Sequence, residues 1–121
     1  MHGCGPLSGM FVGKLAGGNR AMGKLLNQDT QGYLYPASSS SLVDDTWVEV
    51  TMTVDATTGA RFYLDCAFDS ELANPAIGLK DYNYTTVGQG SSPSTWFGGD
   101  LDNFRVWSRV LTDQEIDALC Q

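Results

Sequence analysis

The stretch TWVEVTMTVD, residues 46–55, carries the strongest structural signal in this chain. Apolar side chains stand at every second position of it: Val48, Val50, Met52 and Val54. A period of two is typical of a β-strand with one buried face. The turn sequence DATTG, residues 55–59, follows, and ARFYLD, residues 60–65, then places Phe62 and Leu64 on one face. Together these stretches predict an antiparallel β-hairpin.

Weaker strand signals occupy much of the remaining chain. Short apolar stretches between turn residues predict further strands at residues 10–15, 20–26, 32–35, 82–88 and 96–107. Residues 1–9 are rich in glycine and proline, and we expect them to form an irregular lead-in. Residues 66–81 contain Asn74, Pro75 and Gly78, so we expect them to form loops.

The C-terminal residues change to a helical pattern. Thr112-Asp113-Gln114-Glu115 matches a capping box, in which the threonine hydroxyl accepts the third backbone N–H and the glutamate reaches back. Leu111 and Ile116 occupy the two positions of a hydrophobic staple. We expect a helix over residues 113–119 that docks on the strands through Ile116 and Leu119, because so short a helix is not stable alone.

The order of these elements predicts an all-β fold. The chain has 121 residues, 42% of them hydrophobic and 17% charged, which is enough apolar sequence for one buried core. Frequent turns between short strands, followed by one helix, are typical of two packed antiparallel sheets. We therefore expect a single domain over residues 1–121, an antiparallel two-sheet β-sandwich with one short C-terminal helix.

The charge balance limits the classes of partner. Fourteen Asp and Glu against seven Lys and Arg give a formal net charge of −7. This balance disfavours nucleic acid and anionic membrane surfaces, since basic side chains bind both. Cations, neutral sugars and basic proteins remain compatible with it. The first residues show no signal-peptide pattern, and no stretch approaches the roughly 20 apolar residues of a membrane span.

The cysteines Cys4, Cys66 and Cys120 are widely spaced and include no CxxC pair, so we expect no zinc site. An odd number allows one disulfide and one free thiol. The sequence leaves all three pairings and the fully reduced state open. A Cys4–Cys120 bond would join the two chain ends, whereas a Cys66–Cys120 bond would join a hairpin to the C-terminus.

Two segments resemble a known family. LVDDTWVEVTMTVDATTGARFYLD, residues 42–65, is similar to a segment of the laminin G-like modules. VGQG…WFGGDLDNFRVWSRVLTDQEIDAL, residues 87–119, is similar to their Gly-rich loop, closing strand and short helix. The resemblance implies the concanavalin A-like lectin/glucanase fold, a jelly roll of two curved sheets. It also implies an extracellular or cell-surface protein in which Trp47 and Trp107 pack against neighbouring residues.

The chain departs from that family at three places. Two strands that usually open such modules have no recognisable counterpart here. Cys66 replaces the glycine that follows the Tyr-x-Asp sequence, so this turn must differ or the cysteine must have a partner. The positions of the pentraxin calcium ligands fall on Gly90, Ser91 and Ser92. These residues offer no carboxylate, so we do not expect that calcium site.

Two groups of residues are candidate binding sites. The first is a set of aromatic and polar side chains: Tyr82, Tyr84, Gln89 and Trp96. Exposed aromatic rings stack on the apolar face of a sugar, although the same rings are also compatible with structural packing. Asp100 and Asp102 are candidates for a Ca²⁺ site. The alternative is structural, since the resemblance implies that Asp102 and Asn103 belong to a family motif that shapes this strand. We expect no other cofactor.

The sequence predicts no enzyme. His2 is the only histidine, and it lies at the chain end, so a Ser-His-Asp or Cys-His arrangement has no base. The E-x-D-x-x-E string of the glucanase relatives is absent. We expect a non-catalytic, lectin-like adhesion module that recognises carbohydrate or a protein surface. The alternative is a structural protein that assembles into a homo-oligomer through exposed sheet edges.

Overall fold

The computed structural model describes residues 11–14, 19–27, 33–55, 57–73, 77–78 and 97–120. These residues form seven strands and one helix. They are β1 (Phe11–Lys14), β2 (Ala21–Asn27), β3 (Tyr33–Leu34), β4 (Val50–Asp55), β5 (Gly59–Leu64), β6 (Ala67–Leu72), β7 (Ile77–Gly78) and α1 (Asp113–Ala118). The expected lead-in at residues 1–9 and the expected strand at residues 82–88 lie outside this range.

The seven strands form two antiparallel sheets. In the first sheet, β2 lies between β1 and β3 and also pairs with β7. The second sheet has the order β4-β5-β6. This arrangement confirms the all-β, antiparallel class with one short helix that the sequence predicts. Within the described ranges, no helix is long and apolar enough to span a bilayer.

The β4–β5 hairpin follows the sequence prediction. Met52 pairs with Phe62 at its centre, on the face that carries the alternating apolar side chains. Gly59 closes the turn with φ 90°, a conformation that glycine adopts without a steric penalty. The Asp55 carboxylate accepts the Thr57 N–H at 2.7 Å, which orders the turn from within. The pattern of residues 46–65 therefore determines both strands and their turn.

Strand β6 corrects the expectation of a loop at residues 66–81. Ala67–Leu72 pairs along β5, and Ile77–Gly78 pairs with β2. The chain reverses at Asp65 and Cys66, whose φ angles are 49° and 66°. Positive φ at both central residues is the geometry of a type I′ turn, whose twist suits adjacent strands. These residues become a strand because β5 offers a pairing edge, which local composition does not reveal.

The cysteine of that turn forms a disulfide with Cys120. The bond links residues 54 positions apart, with their Cα atoms separated by 6.1 Å. It decides the open pairing in favour of the bond between the hairpin and the C-terminus. Cys66 keeps a left-handed conformation, which costs a residue with a side chain about 1–2 kcal/mol. Of the two alternatives for Cys66, a different turn or a partner, the structure shows the partner.

Strand β5 is covered on both faces. On one face Ala60 packs with Leu25 of β2, so the two sheets meet there. Partly buried side chains of β3 and β4 surround this pair: Leu34, Met52 and Val54. On the other face Tyr63 packs with Ile116 of the helix. Because successive side chains of a strand point to opposite faces, β5 joins two separate apolar clusters.

The helix begins with the predicted capping box. The Thr112 hydroxyl accepts the Glu115 N–H at 3.1 Å, and Glu115 Oε1 accepts the Thr112 N–H at 2.9 Å. Arg109 adds two hydrogen bonds to the same carboxylate, at 2.8 and 2.5 Å. The Arg109 guanidinium and then the Thr112 N–H lower the pKa of Glu115 to about 2.

The helix also docks as expected. Leu111 and Ile116 are buried in one cluster with Tyr63, and Leu119 packs against it. The Tyr63 hydroxyl donates a hydrogen bond to Asp113 Oδ1 at 2.7 Å, which ties the strand to the first turn. Burial, followed by this hydrogen bond, raises the pKa of Tyr63. Apolar packing and one polar contact therefore hold the helix on the outer face of β5.

Residues 97–110 contradict the expectation of a strand at residues 96–107. This segment contains no strand, and all of its residues are exposed. At its centre, Asn103 has φ 54° and donates its N–H to Asp102 Oδ1 at 2.8 Å, which bends the chain. Trp47 is 67% exposed, so the expectation that its ring packs against neighbours is wrong, whereas Trp107 is 40% exposed and is partly covered. Among the described residues this segment has no partner strand, and the Asp102 side chain bonds to the local backbone instead.

Candidate functional site

A groove lies at the end of the second sheet. Its volume is about 350 Å³, and it lies between the loop of residues 40–48 and the β5–β6 turn. Leu42, Val48 and Leu64 contribute apolar side chains to its wall. Hydroxyl and carboxylate groups share the lining: Ser40, Ser41, Thr46, Asp65 and Asp69. An apolar concavity with a few polar groups is the usual form of a small-ligand site.

Asp69 fixes one wall of this groove. The β5–β6 register shifts between Phe62 and Tyr63, so that Asp69 has no pairing partner on β5. A bulge of this kind redirects a side chain. The Asp69 carboxylate accepts the Ser39 N–H at 2.5 Å and the Ser40 N–H at 3.2 Å. It therefore holds the start of the 40–48 loop against β6.

The charge of Asp69 is stabilised in this position. Burial raises the pKa of the Asp69 carboxyl, but hydrogen bonds from Ser40 and the Ser39 N–H outweigh that effect. The pKa of Asp69 consequently lies below its ordinary value. The Ser70 hydroxyl donates a further bond to the Ala37 carbonyl at 3.1 Å, on the same side of the groove. The wall is thus held by a carboxylate that stays ionised near neutral pH.

Hydrogen bonds between Asp65, which lines the groove, and Glu49 hold this end of the second sheet. The Asp65 N–H donates to the Glu49 carbonyl at 2.8 Å, and Asp65 Oδ1 accepts the Glu49 N–H at 3.0 Å. These two bonds fix the β5–β6 turn against the residues that precede β4. The Thr46 hydroxyl donates to the Asp44 carbonyl at 3.3 Å, which shapes the loop beside it.

Exposed apolar side chains stand beside the groove. Phe68, which lines it, is 57% exposed, and Trp47, between two lining residues, is 67% exposed. The Phe68 ring contacts the buried Tyr63 ring edge-on, with centroids 5.8 Å apart. The Arg61 guanidinium lies 5.9 Å from the Phe68 centroid and forms a 2.6 Å ion pair with Glu71. The position of Phe68 is therefore set by neighbours while one ring surface remains open.

The structure locates the predicted site residues as follows. Those proposed for sugar binding lie outside the described residues: Tyr82, Tyr84, Gln89 and Trp96. Asp100 and Asp102 lie in the exposed segment 97–110. The described residues contain one group of three potential metal ligands, and it includes neither of these aspartates. Both the sugar site at those four residues and the Ca²⁺ site therefore stay predictions.

Sequence reasoning missed the groove altogether. Its walls come from residues 40–48 and 64–69, which are brought together by pairing along β5. The serine run 38–41 indicates only a loop, and Asp69 falls within a stretch expected to be loop. A search for aromatic residues followed by acidic ones would have found Phe68 and Asp69, but such pairs are too common to be informative.

Comparisons with known proteins place this architecture. The structure is similar to the 2.1 Å crystal structure of an S-layer domain-containing protein (residues 221–444) from Clostridium thermocellum ATCC 27405, with a TM-score of 0.59. The two chains are 19% identical, and the match covers 92% of this chain and 61% of the other. The curated proteins include no match to the sequence. A laminin G family model, described as concanavalin A-like lectin/glucanases superfamily, matches residues 9–117. The chain belongs to the concanavalin A-like lectin/glucanase superfamily.

Proposed function

We propose that this chain is a non-catalytic module that binds carbohydrate in the groove between residues 40–48 and the β5–β6 turn. The observation that carries the proposal is an apolar concavity of about 350 Å³ with hydroxyls and carboxylates at its edge. Sugars present apolar C–H faces and a rim of hydroxyl groups, and this lining is complementary to both. Membership of a superfamily that includes lectins as well as glycosidases supports the carbohydrate-binding part of this assignment.

We assign a separate role in sugar binding to each of four side chains of the groove. The open surface of the Phe68 ring would stack on one face of a pyranose. The Asp65 carboxylate and the Thr46 hydroxyl would hydrogen-bond to the sugar hydroxyls. Asp69 would act as a positioning residue, since two backbone N–H groups of the loop already occupy its oxygens. The groove would then bind its ligand with little rearrangement.

The proposal includes an architecture and a location. We infer that the whole chain forms one domain and that its two sheets pack as a jelly roll, supported by the contact between Leu25 and Ala60. We also infer a position outside the cell or on its surface. The Cys66–Cys120 disulfide supports this location, because disulfides persist in oxidising compartments. Similarity to an S-layer domain-containing protein agrees with it.

A glycan array followed by calorimetry tests the proposal. The purified chain should bind a defined set of glycans, and Phe68→Ala should weaken binding of the strongest one by about tenfold, equivalent to about 1.4 kcal/mol. Phe104→Ala, which removes a 61% exposed ring outside the groove, is the matched control and should leave binding unchanged. Absence of any glycan binding, or equal loss in both variants, would contradict the proposal.

A second candidate function is assembly through residues 97–110. This segment exposes a run of large apolar side chains: Phe97, Leu101, Phe104, Val106, Trp107 and Val110. Contiguous exposed apolar residues mark sites of association. Under this alternative, sedimentation velocity should show oligomers that Phe104→Asp dissociates, and the array should give no binding. Glycan binding by a monomer would instead favour the first function.

A further inference from the structure

A carboxylate faces the Cys66–Cys120 disulfide. Glu49 Oε1 lies 3.4 Å from Cys66 Sγ, and the carboxylate oxygen and both sulfurs all lie within 4.8 Å of one another. A disulfide sulfur has no proton to donate, so the oxidised bond offers Glu49 no hydrogen bond. Reduction changes this chemistry, because it places two thiols beside one carboxylate.

Glu49 Oε1 and Cys66 Sγ are spaced like two ligands of a tetrahedral metal ion, whereas the two sulfurs stay bonded to each other until the disulfide is reduced. With Zn–S near 2.3 Å and Zn–O near 2.1 Å, tetrahedral geometry requires a sulfur–oxygen separation of about 3.6 Å. The observed 3.4 Å between Glu49 and Cys66 is close to that value. The same geometry requires about 3.8 Å between two sulfurs. Rotation of the cysteine side chains provides this separation when the Cα atoms are 6.1 Å apart.

Each ligand stands on backbone that other contacts hold in place. The backbone of Glu49 forms two hydrogen bonds with Asp65. Its carbonyl accepts the Asp65 N–H at 2.8 Å, and its N–H donates to Asp65 Oδ1 at 3.0 Å. Cys66 occupies a turn between two paired strands. Cys120 follows a helix that Ile116, fully buried, anchors on the sheet. The hydrogen bonds of Glu49 and the strand pairing beside Cys66 do not involve the disulfide, whereas the buried cluster around Ile116 includes Cys66 itself.

We propose that reduction of the Cys66–Cys120 disulfide creates a site for a thiophilic divalent cation such as Zn²⁺, formed by Cys66, Cys120 and Glu49. The fourth position would remain open to water. Thiolates with one carboxylate suit Zn²⁺ better than Ca²⁺, which prefers six to eight oxygen ligands. None of its three ligands lines the groove, although Cys66 follows Asp65 in the same turn and Glu49 is hydrogen-bonded to Asp65. The metal proposal does not rest on the binding function proposed for the groove.

The reaction balances with a phosphine as reductant. The disulfide takes up two electrons and two protons and becomes two thiols. One phosphine supplies the electrons, one water supplies the protons and the oxygen, and the phosphine leaves as phosphine oxide. Binding of Zn²⁺ then releases the two thiol protons, so tighter binding at higher pH is expected.

Metal titration of the full chain tests the proposal, with Cys4→Ser in every sample so that no third thiol takes part. After phosphine reduction, the chain should bind one Zn²⁺, whereas the oxidised chain should bind none. Co²⁺ in place of Zn²⁺ should give the sulfur-to-metal charge-transfer absorption of thiolate ligation. Glu49→Gln should weaken Zn²⁺ binding at least about tenfold, and Glu71→Gln, a carboxylate paired with Arg61, is the matched control.

Three results would overturn the proposal. The first is equal Zn²⁺ affinity with and without Glu49→Gln, since the carboxylate is then not a ligand. The second is loss of near-ultraviolet circular dichroism on reduction together with no binding, since the site then has no scaffold. The third is binding by the oxidised chain, or by a reduced Cys66→Ser, Cys120→Ser variant, which would place the metal elsewhere.

Discussion

Strand β5 and the segment 97–110 are both rich in apolar residues, yet they differ in every structural respect. β5 pairs with β4 on one edge and β6 on the other, and its residues are buried or half-buried. The segment 97–110 forms no strand within the described residues and is exposed throughout. Apolar sequence therefore becomes ordered β-structure only where neighbouring strands satisfy its backbone and another layer covers its side chains.

The largest expected effect comes from replacing one phenylalanine in each region. Phe62, 1% exposed, lies in β5, and Phe104, 61% exposed, lies in the other segment. Phe62→Ala should lower the free energy of unfolding by about 3–5 kcal/mol, because it leaves a cavity. Phe104→Ala should change it by less than about 0.5 kcal/mol. Chemical denaturation of both variants measures these values. A loss above about 1.5 kcal/mol for Phe104→Ala would show that the segment is packed in solution.

A second test removes the covalent link that holds the C-terminus to the ordered region. Cys120→Ala opens the disulfide that spans 54 residues and should lower the free energy of unfolding by about 2–4 kcal/mol. Cys4→Ser is the control, since it leaves this bond intact and should unfold at nearly the wild-type denaturant concentration. Equal stability of Cys120→Ala and the wild type would mean that α1 and its cluster hold the C-terminus unaided.

The smallest expected effect concerns the junction between the segment 97–110 and α1, where Arg109 pairs with Glu115 of the helix cap. The pKa of Glu115 is lowered to about 2, below its ordinary value of 4.5. The stabilisation is therefore present above pH 4.5 and is lost as the pH falls through about 2. Denaturation midpoints measured down to pH 2 should fall less steeply for Glu115→Gln than for the wild type. Identical pH profiles would mean that the Arg109 pair does not form in solution.

The elements that sequence analysis predicted correctly are those with local signals. Glycine at the turn position and alternating apolar residues define the hairpin at residues 46–65, and Thr112 with Glu115 defines the start of the helix. The signal for β6 is absent from Ala67–Leu72, since that strand depends on the edge of β5. The opposite error occurred at residues 97–107, where the pattern of a strand is present but no pairing strand lies beside it among the described residues.

The candidate site was less predictable than the fold. The sequence predicted binding aromatics along one strand, at Tyr82 and Tyr84, because sequence identifies spatial neighbours only when they have strand or helix spacing. The groove instead combines Phe68 and Asp69 with a loop almost thirty residues earlier. The metal-ligand group was equally unpredictable, because Glu49, Cys66 and Cys120 are distant in sequence and form no CxxC motif.

The amino-acid sequence by itself determined the hairpin and its turn, the helix cap, the acidic charge and the superfamily resemblance. Each of these depends on residues a few positions apart, or on a sum over the whole chain, so folding was not needed to read them. Only the tertiary structure decided which cysteines pair, which apolar segments are buried and where a concave surface forms. Those properties depend on contacts between distant residues, and their free energy appears only when strands align and exclude water.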